Sequence, residues 1–68
     1  MEKTVIKVGG MSCQGCVKNI QGVLSGMPGV ASAEVSLEAA EATVVHDPLQ
    51  VAREALVGAI EDAGFDAA

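Results

Sequence analysis

The chain opens on an alternation of apolar and polar positions. In "TVIKVGG" the side chains of Ile6 and Val8 fall on one side, which predicts a strand over residues 3 to 8. After Gly9 and Gly10 the period changes. Val17, Ile20, Val23, Leu24 and Met27 recur at the spacing of one helix face, so a helix is predicted from Gln14 to Ser25. Gly22 weakens this helix and Gly26 is its expected stop. "MPGV" marks a turn, and "VASAEVSL" then alternates over residues 30 to 37 with Ala33, Val35 and Leu37 inward. "EAA" reads as a hairpin turn and "EATVVH", 41 to 46, as a third strand with Ala42 and Val44 inward. Asp47 and Pro48 suit the cap and first position of a second helix, whose apolar stripe is Leu49, Ala52, Leu56, Ile60 and Ala63. Gly64 ends it, and "FDAA" leaves room for a short edge strand only.

This order, β-α-β-β-α-β, is that of a ferredoxin-like α+β sandwich: a four-stranded antiparallel sheet with both helices on one face. Right-handed crossovers give the strand order 4-1-3-2. The topology sends the loop after the first strand and the segment after the second helix to the same end of the sheet, so Phe65 is expected beside "GGMSCQGC". His46 closes the third strand at the opposite end, roughly 20 Å away for a six-residue strand, and reads as a strand-end side chain.

Composition narrows the function. Sixty-eight residues make one domain, 1–68, too small to gather distant catalytic groups around a deep cleft, so no enzyme is expected. Phe65 is the single aromatic, which leaves an aliphatic core and no platform for stacking bases. A net charge of −5 also disfavours nucleic acid and anionic membranes as partners. The charge is uneven. Residues 1 to 33 carry Glu2 against Lys3, Lys7 and Lys18, a net of +2; residues 34 to 68 carry eight acids against Arg53, a net of −7. The acidic half is either a solvated face or a docking surface for a basic partner. No apolar run reaches the roughly 18 residues of a membrane span and no signal peptide is visible. The expected location is cytoplasmic, with contact to a membrane only through a partner.

The chemistry resides in "GGMSCQGCVKNI", which holds both cysteines, Cys13 and Cys16. A disulfide between them would close a tiny loop and remove little chain entropy. Cys16 falls in the first turn of the predicted helix, where unpaired N–H groups favour a thiolate. Three readings are open. A redox pair would be a C-x-x-C dithiol oxidoreductase; Gln14 and Gly15 between the cysteines, and no proline placed beside them, count against it. A closed zinc site needs about four ligands, and only one such knuckle is present in the chain. An open two-thiolate site suits a soft d¹⁰ ion such as Cu(I), which tolerates two or three sulfur ligands.

The loop "GMSCQGC", with "MPGV", "HDP" and "IEDAGFDA" at their later positions, resembles the heavy-metal-associated domain family over nearly the whole chain. That family includes copper chaperones and the N-terminal metal-binding domains of copper-transporting P-type ATPases. The resemblance implies Cu(I) held by Cys13 and Cys16 and passed through three-coordinate intermediates to a cysteine pair on a partner. The implied partner is the metal-binding domain of a copper-transporting P-type ATPase, or another copper donor or acceptor. The chain would act as a monomer, or as a dimer bridged by shared metal. It also implies that Met11 packs inward and anchors the loop. Ser12 stands where zinc and cadmium members often carry an acid, which favours Cu(I) over Zn(II) or Cd(II); Hg(II) and Ag(I) remain alternatives. Lys18 either offsets the negative charge of a bis-thiolate site or is a solvated helix residue. Phe65 occupies a last-loop position that is often Phe in ATPase domains and Tyr in bacterial chaperones. It leans toward an ATPase domain, while the short length leans toward a free-standing chaperone.

Overall fold

A computed structural model describes residues 1–68. Its elements are β1 (Glu2–Gly9), α1 (Gln14–Ser25), β2 (Val30–Ser36), β3 (Glu41–His46), α2 (Arg53–Asp62) and β4 (Asp66–Ala67). The sheet order is β2-β3-β1-β4 and every pairing is antiparallel, which is the expected 4-1-3-2 arrangement read from the other edge. β1 is thus central. It pairs with β3 from Glu2↔His46 to Lys7↔Glu41, and with β4 at Val8↔Ala67 and Gly9↔Asp66. β3 runs along most of β1, and β4 takes the end that leads into the cysteine loop.

The core lies between one face of this sheet and the two helices. Ile6, Val8, Ala42 and Val44 from the sheet meet Ile20 and Leu24 of α1 and Leu56 and Ile60 of α2. All are aliphatic, so the stability of the domain rests on removing branched side chains from water, at about 1.5–3 kcal/mol for each large one. The strict alternation of β1 and β3 puts every second residue into this layer.

The second helix departs from its sequence reading. It begins at Arg53, not at Pro48, and Leu49 and Ala52 of the predicted stripe are exposed, Leu49 to 97%. Asp47 caps something shorter. Its Oδ1 accepts the Leu49 N–H at 3.0 Å, and its carbonyl accepts the N–H groups of Gln50 and Val51. One turn closes there and goes no further, because Val51 turns inward and its carbonyl is taken by His46 Nδ1 at 2.9 Å. Ala52 is extended, and the helix restarts from it.

His46 is at the end of β3, opposite the cysteine loop, but is more than a strand-end side chain. It is 1% exposed, and both ring nitrogens are engaged. A carbonyl can only accept, so Nδ1 donates to Val51, and in the neutral ring Nε2 accepts from the Thr4 hydroxyl at 2.7 Å. Thr4 shares the inner face of β1 with Ile6 and Val8. One imidazole therefore ties β1, β3 and the turn before α2 together, with no buried side-chain polar atom left without a partner.

At its far end α2 closes on Gly64, which has a φ of +98°. The Gly64 N–H reaches the Glu61 carbonyl at 3.0 Å and the Phe65 N–H reaches the Ile60 carbonyl at 3.3 Å. This paired arrangement is a Schellman ending, in which the residue after the glycine swings back against the last turn of the helix. It delivers Phe65 to the core beside Ile60.

Two outcomes follow for urea unfolding followed by circular dichroism. His46→Ala removes a packed ring and strands the Thr4 hydroxyl and the Val51 carbonyl, and loses about 2–4 kcal/mol. Gly64→Ala forces a side chain into a left-handed backbone and loses about 1 kcal/mol.

Candidate metal centre

The loop between β1 and α1 is built around one abrupt change of backbone. Cys13 is extended, at φ −160° and ψ 170°, and the next residue is already helical. Cys13 is the N-terminal cap of α1, and its carbonyl accepts from the Cys16 and Val17 N–H groups at 3.1 and 3.4 Å. No side chain caps this end and no acidic residue lies in its first turn. The thiols thus sit at a helix start whose free N–H groups have no carboxylate to compete for them.

The two sulfurs lie 3.6 Å apart as free thiols. Cys13 is exposed and Cys16 is half-buried. The Cys16 thiol is held below its ordinary pKa. The largest cause is hydrogen bonding from the backbone of Ser12, followed by the Cys13 side chain; partial desolvation opposes them, and the Ser12 hydroxyl, 4.0 Å from the sulfur, adds a smaller lowering. No third Cys, His, Asp or Glu joins the pair to form a cluster able to enclose a metal ion. The chemistry is thus that of an open, two-sulfur donor set. It fits a soft ion satisfied by two thiolates and leaves space for another ligand.

The loop is held from beneath. Met11 is half-buried and packs against the core, as does Phe65. Phe65 lies under the loop: a Cβ placed on Gly10 would meet its ring at 3.8 Å. The strand predicted over residues 3 to 8 leaves both Gly9 and Gly10 outside it, but the two glycines do different work. Gly9 is still strand, paired with Asp66, while Gly10 takes a φ of +92°. The doublet signals a turn, and only the pairing with β4 shows which glycine makes it. Lys18 is exposed and forms no ion pair or side-chain hydrogen bond. Two residues beyond Cys16, it points away from that side chain on the helix. His46 stands at the opposite end of β3 and takes no part.

Comparison with known proteins agrees with this geometry. The heavy-metal-associated domain profile matches residues 5–66. The chain is 49% identical over 67 residues to copper-transporting ATPase 1 of Mus musculus, covering 98% of this chain but 4% of that protein. It is 39% identical over 66 residues to the copper chaperone CopZ of Staphylococcus aureus (strain MRSA252), covering 97% of both. Among solved structures, a copper-binding domain from HMA7, a P-type ATPase, superposes with a TM-score of 0.98 at 40% identity, covering 100% of this chain and 92% of that one. The chain spans only a small fraction of the ATPases it matches, and nearly all of the chaperone. With a matched family profile over most of its length and the same fold as these relatives, the chain belongs to the heavy-metal-associated domain family.

Proposed function

We propose that this domain carries one Cu(I) ion between Cys13 and Cys16 and passes it to a partner by thiolate exchange. The observation that carries this reading is the pair of free sulfurs, 3.6 Å apart at a bare helix start, with no third ligand to close the site. Copper is cargo here, and the domain performs no catalysis. Each thiol loses its proton as the ion binds, and the Cys16 thiol is already biased to thiolate. A partner thiolate then adds to the ion, giving three sulfur ligands. A second partner thiolate adds as the bonds to Cys13 and Cys16 break in turn, so the ion is never left with fewer than two sulfurs. Copper stays Cu(I) throughout, so no electron donor or acceptor enters.

The partner is a metal-binding domain of a copper-transporting ATPase or a similar copper donor or acceptor, met in the cytoplasm by a monomeric domain. No helix is long and apolar enough to cross a membrane. A second reading makes the chain one metal-binding domain of such an ATPase. The 49% identity to a copper-transporting ATPase, against 39% to the chaperone, and the phenylalanine at position 65 favour it. Site chemistry is the same in both. Hg(II) suits a two-thiolate site as well, whereas Zn(II) asks for more ligands than the chain brings together.

Titration of Cu(I) against a chromophoric chelator checks the site. The Cys13→Ser/Cys16→Ser variant is expected to lose about 1,000-fold or more in affinity while keeping its fold, since hydroxyls are poor ligands for a soft ion. Retention of full affinity by that variant sinks the proposal. The pH dependence has a definite sign. Binding displaces thiol protons, so affinity falls with falling pH by up to about tenfold per pH unit for each proton displaced. Because Cys16 is biased to thiolate, its 240 nm thiolate absorbance develops at lower pH than that of an unstructured cysteine. Ser12→Ala moves that midpoint upward only in part, since the larger backbone contribution survives the substitution.

A further inference from the structure

We infer that Gly15 keeps the Cys13 sulfur open to an incoming ligand, so that this position governs how fast a bound ion is exchanged while leaving its equilibrium affinity unchanged. The inference rests on the dithiol reading above. Gly15 is the second residue of α1, and its backbone is not in the left-handed region that calls for glycine. Within a helix, glycine is less favourable than alanine, so local structure gives no reason for it. Space gives one. Beyond its chain neighbours Gln14 and Cys16 and the helix backbone, a Cβ at position 15 would meet one atom within 4 Å, the Cys13 sulfur at 3.6 Å. The helical glycines Gly22 and Gly58 differ, since a Cβ at either would meet nothing within that distance.

The surroundings of the two sulfurs are unequal. Cys16 is half-buried, with the Ser12 hydroxyl 4.0 Å away. Cys13 is exposed, touching Cys16 at 3.6 Å, and Gly15 leaves its flank bare. A methyl group at 3.6 Å makes ordinary van der Waals contact and displaces nothing, so the spacing of the pair survives. The γ-carbons of a branched side chain reach about 1.5 Å further and cover the sulfur. Exchange requires a third sulfur to reach the ion before its bond to either cysteine breaks. Crowding that approach raises the barrier to arrival and to departure alike, which slows transfer without altering the bound state.

The test compares wild type, Gly15→Ala and Gly15→Val, each shown to be folded by a cooperative thermal melt. In metal-free protein, alkylation by N-ethylmaleimide is followed by mass spectrometry at a pH high enough to ionise both thiols, so that access alone is compared. Gly15→Val is expected to slow labelling of Cys13 by about tenfold, leave Cys16 within about twofold, and be rescued toward wild type in Gly15→Ala. In Cu(I)-loaded protein, transfer to bathocuproine disulfonate is expected to slow by about tenfold in Gly15→Val, with equilibrium affinity within about threefold of wild type. Wild-type labelling of Cys13 in Gly15→Val overturns the inference, as does a loss of affinity that matches the loss of rate. Failure of the wild type to take up Cu(I) overturns the proposed cargo instead, and the metal-free labelling still decides the role of Gly15.

Discussion

The packing of Met11 and Phe65 beneath the loop that carries Cys13 is the interaction on which the site depends. A loop of this kind has few backbone hydrogen bonds of its own. Without an apolar anchor, two thiols on it would be free to separate, and two thiolates would repel. With the anchor in place, the chain leaves Gly10 in one fixed direction and turns into α1 at Cys13 within a single residue. The sulfurs are then brought together before any ion arrives, and binding is spared most of the entropy of ordering the loop. The unpaired N–H groups at the start of α1 offset the charge that the pair acquires on ionisation.

Anchoring and exposure are two sides of one arrangement. Phe65 reaches the loop only because α2 ends in a left-handed glycine, which folds the following residue back over the helix. β4 then pairs with the last residues of β1 and holds the strand to the point where the loop begins. Beneath the loop lie the half-buried, apolar Met11 and Phe65, and above it the Cys13 thiol faces solvent. The proposed ligand exchange needs that combination. Rigidity fixes the two-sulfur geometry, and exposure admits a third sulfur.

The opposite end of the sheet holds the structure in a different way. There His46 joins Thr4 and Val51 in the one buried network of side-chain polar groups, far from the cysteines. Its cost of burial is met by hydrogen bonds to both ring nitrogens. Stability and metal chemistry are thereby separated by the length of β1, so substitutions at one end leave the other largely independent. The acidic surface of the second half adds no ligand to the thiol pair, and the single salt bridge, Lys7–Glu41, is an exposed pairing across β1 and β3.

By itself the sequence determined the order and type of the elements, the sheet order, the limits of α1 and β3, and the position of Cys16 in the first turn of a helix. These follow from hydrophobic period and from local backbone preference, which act over a few residues and are written in neighbouring positions. Connectivity alone also put Phe65 at the cysteine end. Tertiary structure decided the rest. Asp47 and Pro48 are a sound local start for a helix, yet α2 begins at Arg53, because a histidine five residues upstream takes the Val51 carbonyl. Leu49 fits the apolar stripe and is exposed; Val51 and Thr4 lie outside the core that the periodicity predicts and are buried. The same holds at the site. That two thiols are present is legible at once; that one is half-buried and the other open, and that Gly15 borders the open one, depends on distances across a loop. Local preference cannot encode those distances, because they are set by what packs underneath.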